Sequence, residues 1–396
     1  SGTVALNGTA GASTVNVTAG TLTLGSANRL ADSAAVTVSG GNLIMGGADT
    51  VGTFAMSSGS IGGSSTLTAT TYGLSGGTVT GNLGTGTLNS SGTVALNGTA
   101  GASAVNVTAG TLTLGNANRL ADSAAVTVSG GSLNIGGFND SVGAVTLSGG
   151  SISGSGGILT GTSYAVQSGS ISASLGGSGV ALTKSTAGTV TLSGANTYTG
   201  TTTVEAGTLT LTGTGAISST LVLGTSGGGI ATLDALAKSS TIDLASVTGN
   251  GTLKGDFNVT SALGPGFSPG SLTFEGDLTL GNTTVTTMEM GVISDEINVI
   301  GTLTLDGILN VTGTGFLGTE INLFTANSIS GEFDSVNIGG AAFTFNSGNG
   351  MWTGSFGGDD YSFSPTSGNL AAVPEPSAAL LGGLGMLFLL RRRRDA

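Results

Sequence analysis

The sequence predicts an all-β chain wound as a β-solenoid, and three observations carry that reading. The first is composition. There are 75 glycines, five prolines and only 8% charged residues, against roughly 25% charged in an average protein. Helices need Glu, Lys, Arg and Ala on their outer faces. Thr, Val, Leu, Ile, Ser and Gly dominate here, and these suit pleated strands and tight turns. The second is alternation. In "GTLTL", Leu22 and Leu24 point to one side and Thr21 and Thr23 to the other, the period of two that marks a strand. Val15/Val17, Val36/Val38 and Val126/Val128 repeat the pattern, with "SGG", "GG" and "NGT" between the runs. The third is duplication. Residues 1–41 recur as residues 91–131 with two changes, Thr14 becoming Ala104 and Ser26 becoming Asn116.

Duplication separates a solenoid from a sandwich or barrel, the usual outcome of many short strands. A single unit cannot bury its inner face, whereas stacked units bury a continuous core. Aromatic residues make up 5% of the chain, too few for a bulky sandwich core and suited to rows of Val, Leu and Ile. Coils of roughly 20–30 residues follow from known solenoids. With 38% hydrophobic residues in regular alternation, the chain does not read as disordered.

In chain order, residues 1–90 and 91–180 form two solenoid repeat units. A diverged third copy occupies 181–248, and "GTLTL" recurs at Gly20, Gly110 and Gly207. Within that copy, residues 182–211 read "LTKSTAGTVTLSGANTYTGTTTVEAGTLTL". This stretch resembles the autotransporter-associated β-strand repeat at Lys184, Gly188, Leu192, Gly194, Asn196, Tyr198, Gly200, Val204, Gly207, Leu209 and Leu211. Thr186 and Thr201 depart from it, standing where that repeat more often has glycine. The resemblance implies a right-handed parallel β-helix, exported and displayed at or beyond the cell surface. The physical reading is architectural: Gly194, Gly200 and Gly207 would turn the chain where positive φ favours glycine, and Asn196 would hydrogen-bond at a corner.

A distal solenoid segment is expected over 249–345, with Pro265 and Pro269 in turns. Its local carboxylates are Asp256, Asp277, Asp295, Glu296 and Asp306. Calcium is one reading of them, but no EF-hand or glycine-aspartate nonapeptide spacing accompanies them, so they read as solvated turn carboxylates. Residues 346–372, with the few before them, concentrate Phe343, Phe345, Trp352, Phe356, Tyr361 and Phe363. These read as a cap over the last coil, with a sugar-stacking platform as the alternative.

The chain has no histidine and no cysteine, which removes the commonest general base, the commonest transition-metal ligand and all thiolate chemistry. Before residue 373 there are five basic residues (Arg29, Arg119, Lys184, Lys238, Lys254) against 19 acidic ones. Such a surface repels phosphates, so no nucleic-acid partner is expected. No cofactor motif occurs. A β-helix polysaccharide lyase or hydrolase would need a Lys or Arg base beside carboxylates, or two facing carboxylates. Arg29 and Arg119 are repeat copies of each other, as are Asp32 and Asp122, and duplicated pairs point to coil architecture. The chain therefore reads as non-catalytic, with a polysaccharide-binding or polysaccharide-degrading β-helix as the alternative.

The first residues, "SGTVALNGTA", show neither a start methionine nor a secretory signal, and read as the inside of a repeat. Residues 373–396 differ from everything before them. Val373, Pro374, Glu375, Pro376 and Ser377 precede an uncharged stretch, 378–390, and then Arg391, Arg392, Arg393 and Arg394. As a helix, 378–390 spans about 20 Å, short of the ~30 Å hydrocarbon core. Pro376 suits a first helical turn, and the arginines can snorkel into headgroups on the cytoplasmic side. A short C-terminal transmembrane helix is therefore expected. The order of the three parts resembles the PEP-CTERM sorting signal. That resemblance implies an exosortase-type membrane processing enzyme as partner, in a Gram-negative, polysaccharide-producing bacterium. It also implies a transient inner-membrane anchor and Glu375 as a recognition element. The expected protein is an exported structural or adhesive solenoid of the envelope or extracellular matrix, with exopolysaccharide as a candidate partner.

Overall fold

Alternating apolar and hydroxyl residues leave a strand with one dry face, and a strand of four residues cannot bury that face alone. The computed structural model, which describes residues 2–224, 230–266, 269–313 and 320–373, shows how this chain does so. It divides into two units, Ser1–Ser239 and Ser240–Ala396.

The first unit is a parallel β-solenoid. Strand after strand adds in parallel register, so that like residues stack on like. One inward row runs Val15, Val36, Phe54, Tyr72, Leu88, Val105, Val126, Val145, Tyr164, Leu182, Thr202 and Leu221. From Val36 onward every member is buried, and each fully buried Leu or Val contributes about 1.5–3 kcal/mol of transfer free energy. A second ladder stacks Val94, Leu112, Leu133, Ile152, Ile171, Leu192 and Leu211. The third side is slight. It carries isolated bridges such as Ala100 to Leu120 and a short parallel ladder of Asp140–Ser141, Ile158–Thr160 and Ser174–Gly176.

Coils in this unit reach from somewhat below the expected 20–30 residues into the lower half of that range, with Ala104 opposite Ala125 and Leu182 opposite Thr202. Thr71 lies opposite Thr87 and Thr3 opposite Thr21, and the longest step is from Gly207 to Ala231. Where the strands are three to five residues long and the third side holds at most three, a coil needs little chain. Where a large ring enters a row of valines, its hydroxyl crosses the core and closes a turn. The Tyr72 hydroxyl accepts the Ala69 N–H at 2.9 Å and reaches the Leu67 carbonyl at 3.0 Å. The Tyr164 hydroxyl does the same with Gly161 N–H and Leu159 O, both at 2.8 Å. Burial without such partners would cost about 1–3 kcal/mol per polar group.

The second unit continues the parallel mode with longer steps. Ile242 faces Phe257, but Ile297 faces Phe324. It then changes character. Glu320–Asn322, Asn369–Val373, Asp359–Ser364, Met351–Phe356 and Thr344–Asn346 form a five-stranded antiparallel sheet, in that order. Its inward row is Phe345, Trp352, Phe363 and Leu370. Phe363 meets Phe324 of the last parallel ladder and Phe333, with ring centroids 6.2 and 6.1 Å apart. Trp352 is 7% exposed and packs on Phe345 at 5.3 Å, so it offers no open sugar-stacking face. The expected transmembrane stretch, 378–390, lies outside the described residues. Among the described residues no helix is long and apolar enough to cross a membrane.

The "GTLTL" glycine is needed twice over. Gly20, Gly110 and Gly207 hold φ of 74°, 63° and 72°, a region costly for residues with a Cβ. A Cβ on Gly207 would also stand 2.4 Å from the Thr186 carbonyl oxygen of the preceding coil. Gly207→Ala is expected to destabilise by about 1–3 kcal/mol. Gly8→Ala, where a Cβ meets nothing within 4 Å, should be tolerated. Denaturant unfolding and limited proteolysis of the two variants check this, and equal behaviour would contradict it.

Candidate functional site

Residues 182–211 form one full coil and the strands that begin the next. Leu182–Lys184 stacks on Thr202–Val204, and Thr189–Leu192 on Gly207–Leu211. Leu182, Val190, Leu192, Tyr198, Val204, Leu209 and Leu211 are all buried. Lys184 takes a place in this dry row, between Val166 and Val204, and is fully buried. Its ammonium donates to the carbonyls of Thr186 and of Ala206, the latter at 2.9 Å. It therefore ties the turn of its own coil to the turn of the next. Burial lowers its pKa, because two carbonyl dipoles replace water less well for the charged form.

Asn196 joins three coils. Its Oδ1 accepts the Leu175 N–H at 2.9 Å, and its Nδ2 donates to the Ala216 carbonyl at 2.8 Å. The amide side chain supplies one acceptor downward and one donor upward at a corner where the backbone alone leaves a gap. Tyr198 is 3% exposed, and its hydroxyl lies 2.8 Å from Thr202 Oγ1. Desolvation pushes its phenol up to about 12. The glycines divide into two kinds. Gly207 has positive φ, but Gly194 and Gly200 do not, which corrects the sequence expectation. These two are glycine because the backbone of the preceding coil occupies the Cβ position, with Ala173 O at 2.3 Å and Val180 C at 2.4 Å.

Residues 182–216 match the passenger-associated-transport-repeat family model. No curated protein matches the chain. The passenger repeat on a parallel β-solenoid fits an autotransporter-type passenger domain, and suggests an exported or surface protein.

Beyond the passenger repeat, the sequence directed attention to Arg29 and Arg119 with Asp32 and Asp122. In the structure the two copies make equivalent contacts. Asn28 and Asn118 adopt left-handed φ of 55° and 53°, which Asn tolerates better than most residues. This turns the Arg29 and Arg119 guanidinium groups onto the Asn7 and Asn97 carbonyls of the preceding coil, at 2.8 and 2.9 Å. The carboxylates at these corners are Asp49 and Asp140, from the following coil. Each accepts the arginine's own backbone N–H at 2.7 Å, and the next N–H, of Leu30 or Leu120, at 3.1 or 3.3 Å. Both are nearly fully buried, and among the described residues Oδ1 of each has no hydrogen-bond partner.

The carboxylates of the second unit also bind backbone. Asp256 Oδ1 accepts Asp277 N–H at 2.9 Å, and Asp277 Oδ1 accepts Thr302 N–H at 2.7 Å, linking coil to coil. Asp306 closes its own turn on Gly307, and Glu296 accepts the Thr325 hydroxyl. Asp295 is not a solvated turn residue: it is 1% exposed. It accepts the Gly270 and Glu289 N–H groups at 2.8 Å each, which holds closed the turn preceding it. Among the described residues no three acidic side chains gather as a metal cage.

One cleft of about 370 Å³ lies on the antiparallel sheet, between Thr344, Thr353, Ser355, Asp360, Tyr361 and Val373. Val373, first residue of the expected sorting motif, ends its strand opposite Asp360 and is 44% exposed. Pro374, Glu375, Pro376, Ser377 and Arg391, Arg392, Arg393 and Arg394 lie outside the described residues.

Desolvation raises the Asp140 pKa despite the two N–H donors that favour its anion. A carboxyl raised in the fold stabilises fully below its unfolded value, about 3.9. That contribution is lost as pH rises through the folded value. Asp140→Asn keeps an oxygen acceptor and removes the titration. Thermal midpoints between pH 3.5 and 7 should therefore shift in the variant's favour, relative to the parent, as pH rises. A pH-independent difference would contradict the assignment.

Proposed function

We propose that this chain is an exported, non-catalytic β-solenoid passenger with a structural or adhesive role at the cell surface or in the extracellular matrix. The observation that carries the reading is a passenger repeat built into the stacked coils. The fate of the basic residues supports it. Arg29, Arg119, Lys184 and Lys238 are engaged by backbone carbonyls, and Lys254 pairs with Glu275 at 2.9 Å. A β-eliminating lyase would need one of them beside a substrate. The winding is right-handed, the hand that parallel strands joined by crossovers almost always take.

The tail supplies the address. Val373 to Ser377 is the recognition motif for an exosortase-type membrane enzyme, and 378–390 is a transient transmembrane helix. Arg391, Arg392, Arg393 and Arg394 hold its end in the cytoplasm until processing. Val373, the first residue of that motif, is 44% exposed at the end of its strand, which supports this reading. Exopolysaccharide is the partner we assign outside the membrane, with the hydroxyl- and carboxylate-lined cleft as its candidate contact. The acidic surface disfavours nucleic acid, and no cofactor is assigned. The alternative, a polysaccharide-binding or polysaccharide-degrading β-helix, would use the same cleft. It requires release of reducing sugar from an acidic polysaccharide, lost on changing Asp360.

In cells with an active exosortase, fractionation should give a membrane-held full chain and a smaller released form. Glu375→Ala, or deletion of the four arginines, should abolish the released form. Unchanged processing and location in both variants would remove the sorting reading.

A further inference from the structure

The antiparallel sheet has two faces of opposite chemistry. Phe345, Trp352, Phe363 and Leu370 form its inward row, so alternation along each strand puts Thr344, Thr353, Ser355, Asp360 and Val373 on the other face. Register brings these five together. Thr344 lies opposite Thr353, Ser355 opposite Asp360, and Asp360 opposite Val373. All five are exposed, and with Gly354 and Tyr361 they line the cleft of about 370 Å³. That volume is at the lower end of the roughly 300–1,000 Å³ usual for small-ligand sites, so it suits a short stretch of a polymer.

The lining selects by charge. The Ser355 hydroxyl donates to Asp360 Oδ1, which orients the carboxylate. An ionised carboxylate has about four acceptor positions, so one such bond leaves others for ligand hydroxyls, in bonds about twice as strong as neutral ones. No Lys or Arg lines the cleft, and Asp359 adjoins Asp360 in the chain. A uronate or sulfate would meet like charge with no cation to offset it. Calcium takes about six to eight oxygen ligands, and among the described residues no three acidic side chains gather to begin such a shell. The aromatic rings belong to the opposite face, so stacking on them adds nothing here. Val373, 44% exposed, is the aliphatic wall.

We propose that this cleft binds uncharged polysaccharide. Two neighbouring hydroxyls of one sugar donate to the Asp360 carboxylate, Thr344, Thr353 and Ser355 add neutral hydrogen bonds, and Val373 packs on a C–H edge of the ring. The assignment rests on exopolysaccharide as the partner proposed above, and narrows that class to neutral chains.

Native electrophoresis of the full chain through gels carrying neutral glucans (dextran, laminarin) or polyuronates (alginate, pectate) tests it. A neutral glucan should retard the protein and the polyuronates should not. Asp360→Asn keeps the shape and removes the charge, and should weaken retention by about tenfold in apparent Kd. Thr353→Val should weaken it by about two- to fivefold. Unchanged fluorescence of the single tryptophan, Trp352, on the other face of the same sheet, shows that each variant keeps its fold. Retention on a polyuronate that Asp360→Asn strengthens would overturn the neutral-chain assignment and leave exopolysaccharide as the partner. Retention on a glucan that neither variant alters would overturn the cleft as the site. Retention on none of the polymers would overturn both this assignment and the exopolysaccharide partner.

Discussion

In-register stacking of parallel coils is the constraint on which the rest depends. Each coil's amides find their partners on the next coil, so adjacent backbones must approach to ordinary strand spacing, about 4.8 Å, all around the turn as well as along the strands. In strands the side chains stand clear of that approach. At corners they do not, and the neighbouring backbone takes the Cβ position. Gly194 and Gly200 are glycine for this reason, with main-chain atoms 2.3 and 2.4 Å from where a Cβ would be. Stacking thus demands glycine in its own right, beside the left-handed turns at positions such as Gly20, Gly110 and Gly207.

The same constraint explains where polar side chains enter. A corner whose N–H or carbonyl points past the neighbouring backbone needs a substitute, and the chain supplies one from the adjoining coil. Asn196 reaches both ways, Arg29 and Arg119 cap carbonyls, and Asp49, Asp140 and Asp277 cap amides. Lys184 and the core tyrosines do the same from inside. With only 8% charged residues, a large share of the charge described here is held in this hydrogen bonding.

Much of the fold was legible because its signals are local. The period-two runs and the duplicated unit needed only a short window, and so did the resemblance over 182–211. The corner pairings were not legible, because parallel stacking joins residues a coil apart and the coil length varies. Asp32 and Asp122 lie near their arginines in sequence, whereas the acids that bind there, Asp49 and Asp140, follow 20 and 21 residues later. No motif marks that distance when steps run from Thr71–Thr87 to Gly207–Ala231. Asp295 was misread for a related reason: its burial comes from Gly270 and Glu289, contacts across a coil and a turn that composition does not encode.

The near-identity of the two copies separates what sequence dictates from what neighbours dictate. Asn28 and Asn118 take the same left-handed turn, and Arg29 and Arg119 reach equivalent carbonyls, so coil geometry is written locally. Burial is not: Val4 and Val94 occupy the same place in the same strand with opposite exposure. The stability of a coil therefore belongs to the pair it forms with each neighbour, the nearest-neighbour behaviour expected of a solenoid. The second unit meets its last coil with a different solution, an antiparallel sheet whose Phe363 closes on Phe324 and Phe333. Antiparallel hairpins need no further coil to satisfy their inner amides, and aromatic rings cover more apolar area per residue than valine. A parallel stack can propagate such pair energies but cannot end them, so a seal must come from outside the repeat pattern. That explains why the few aromatic residues gather where the alternation of Thr and Leu gives way.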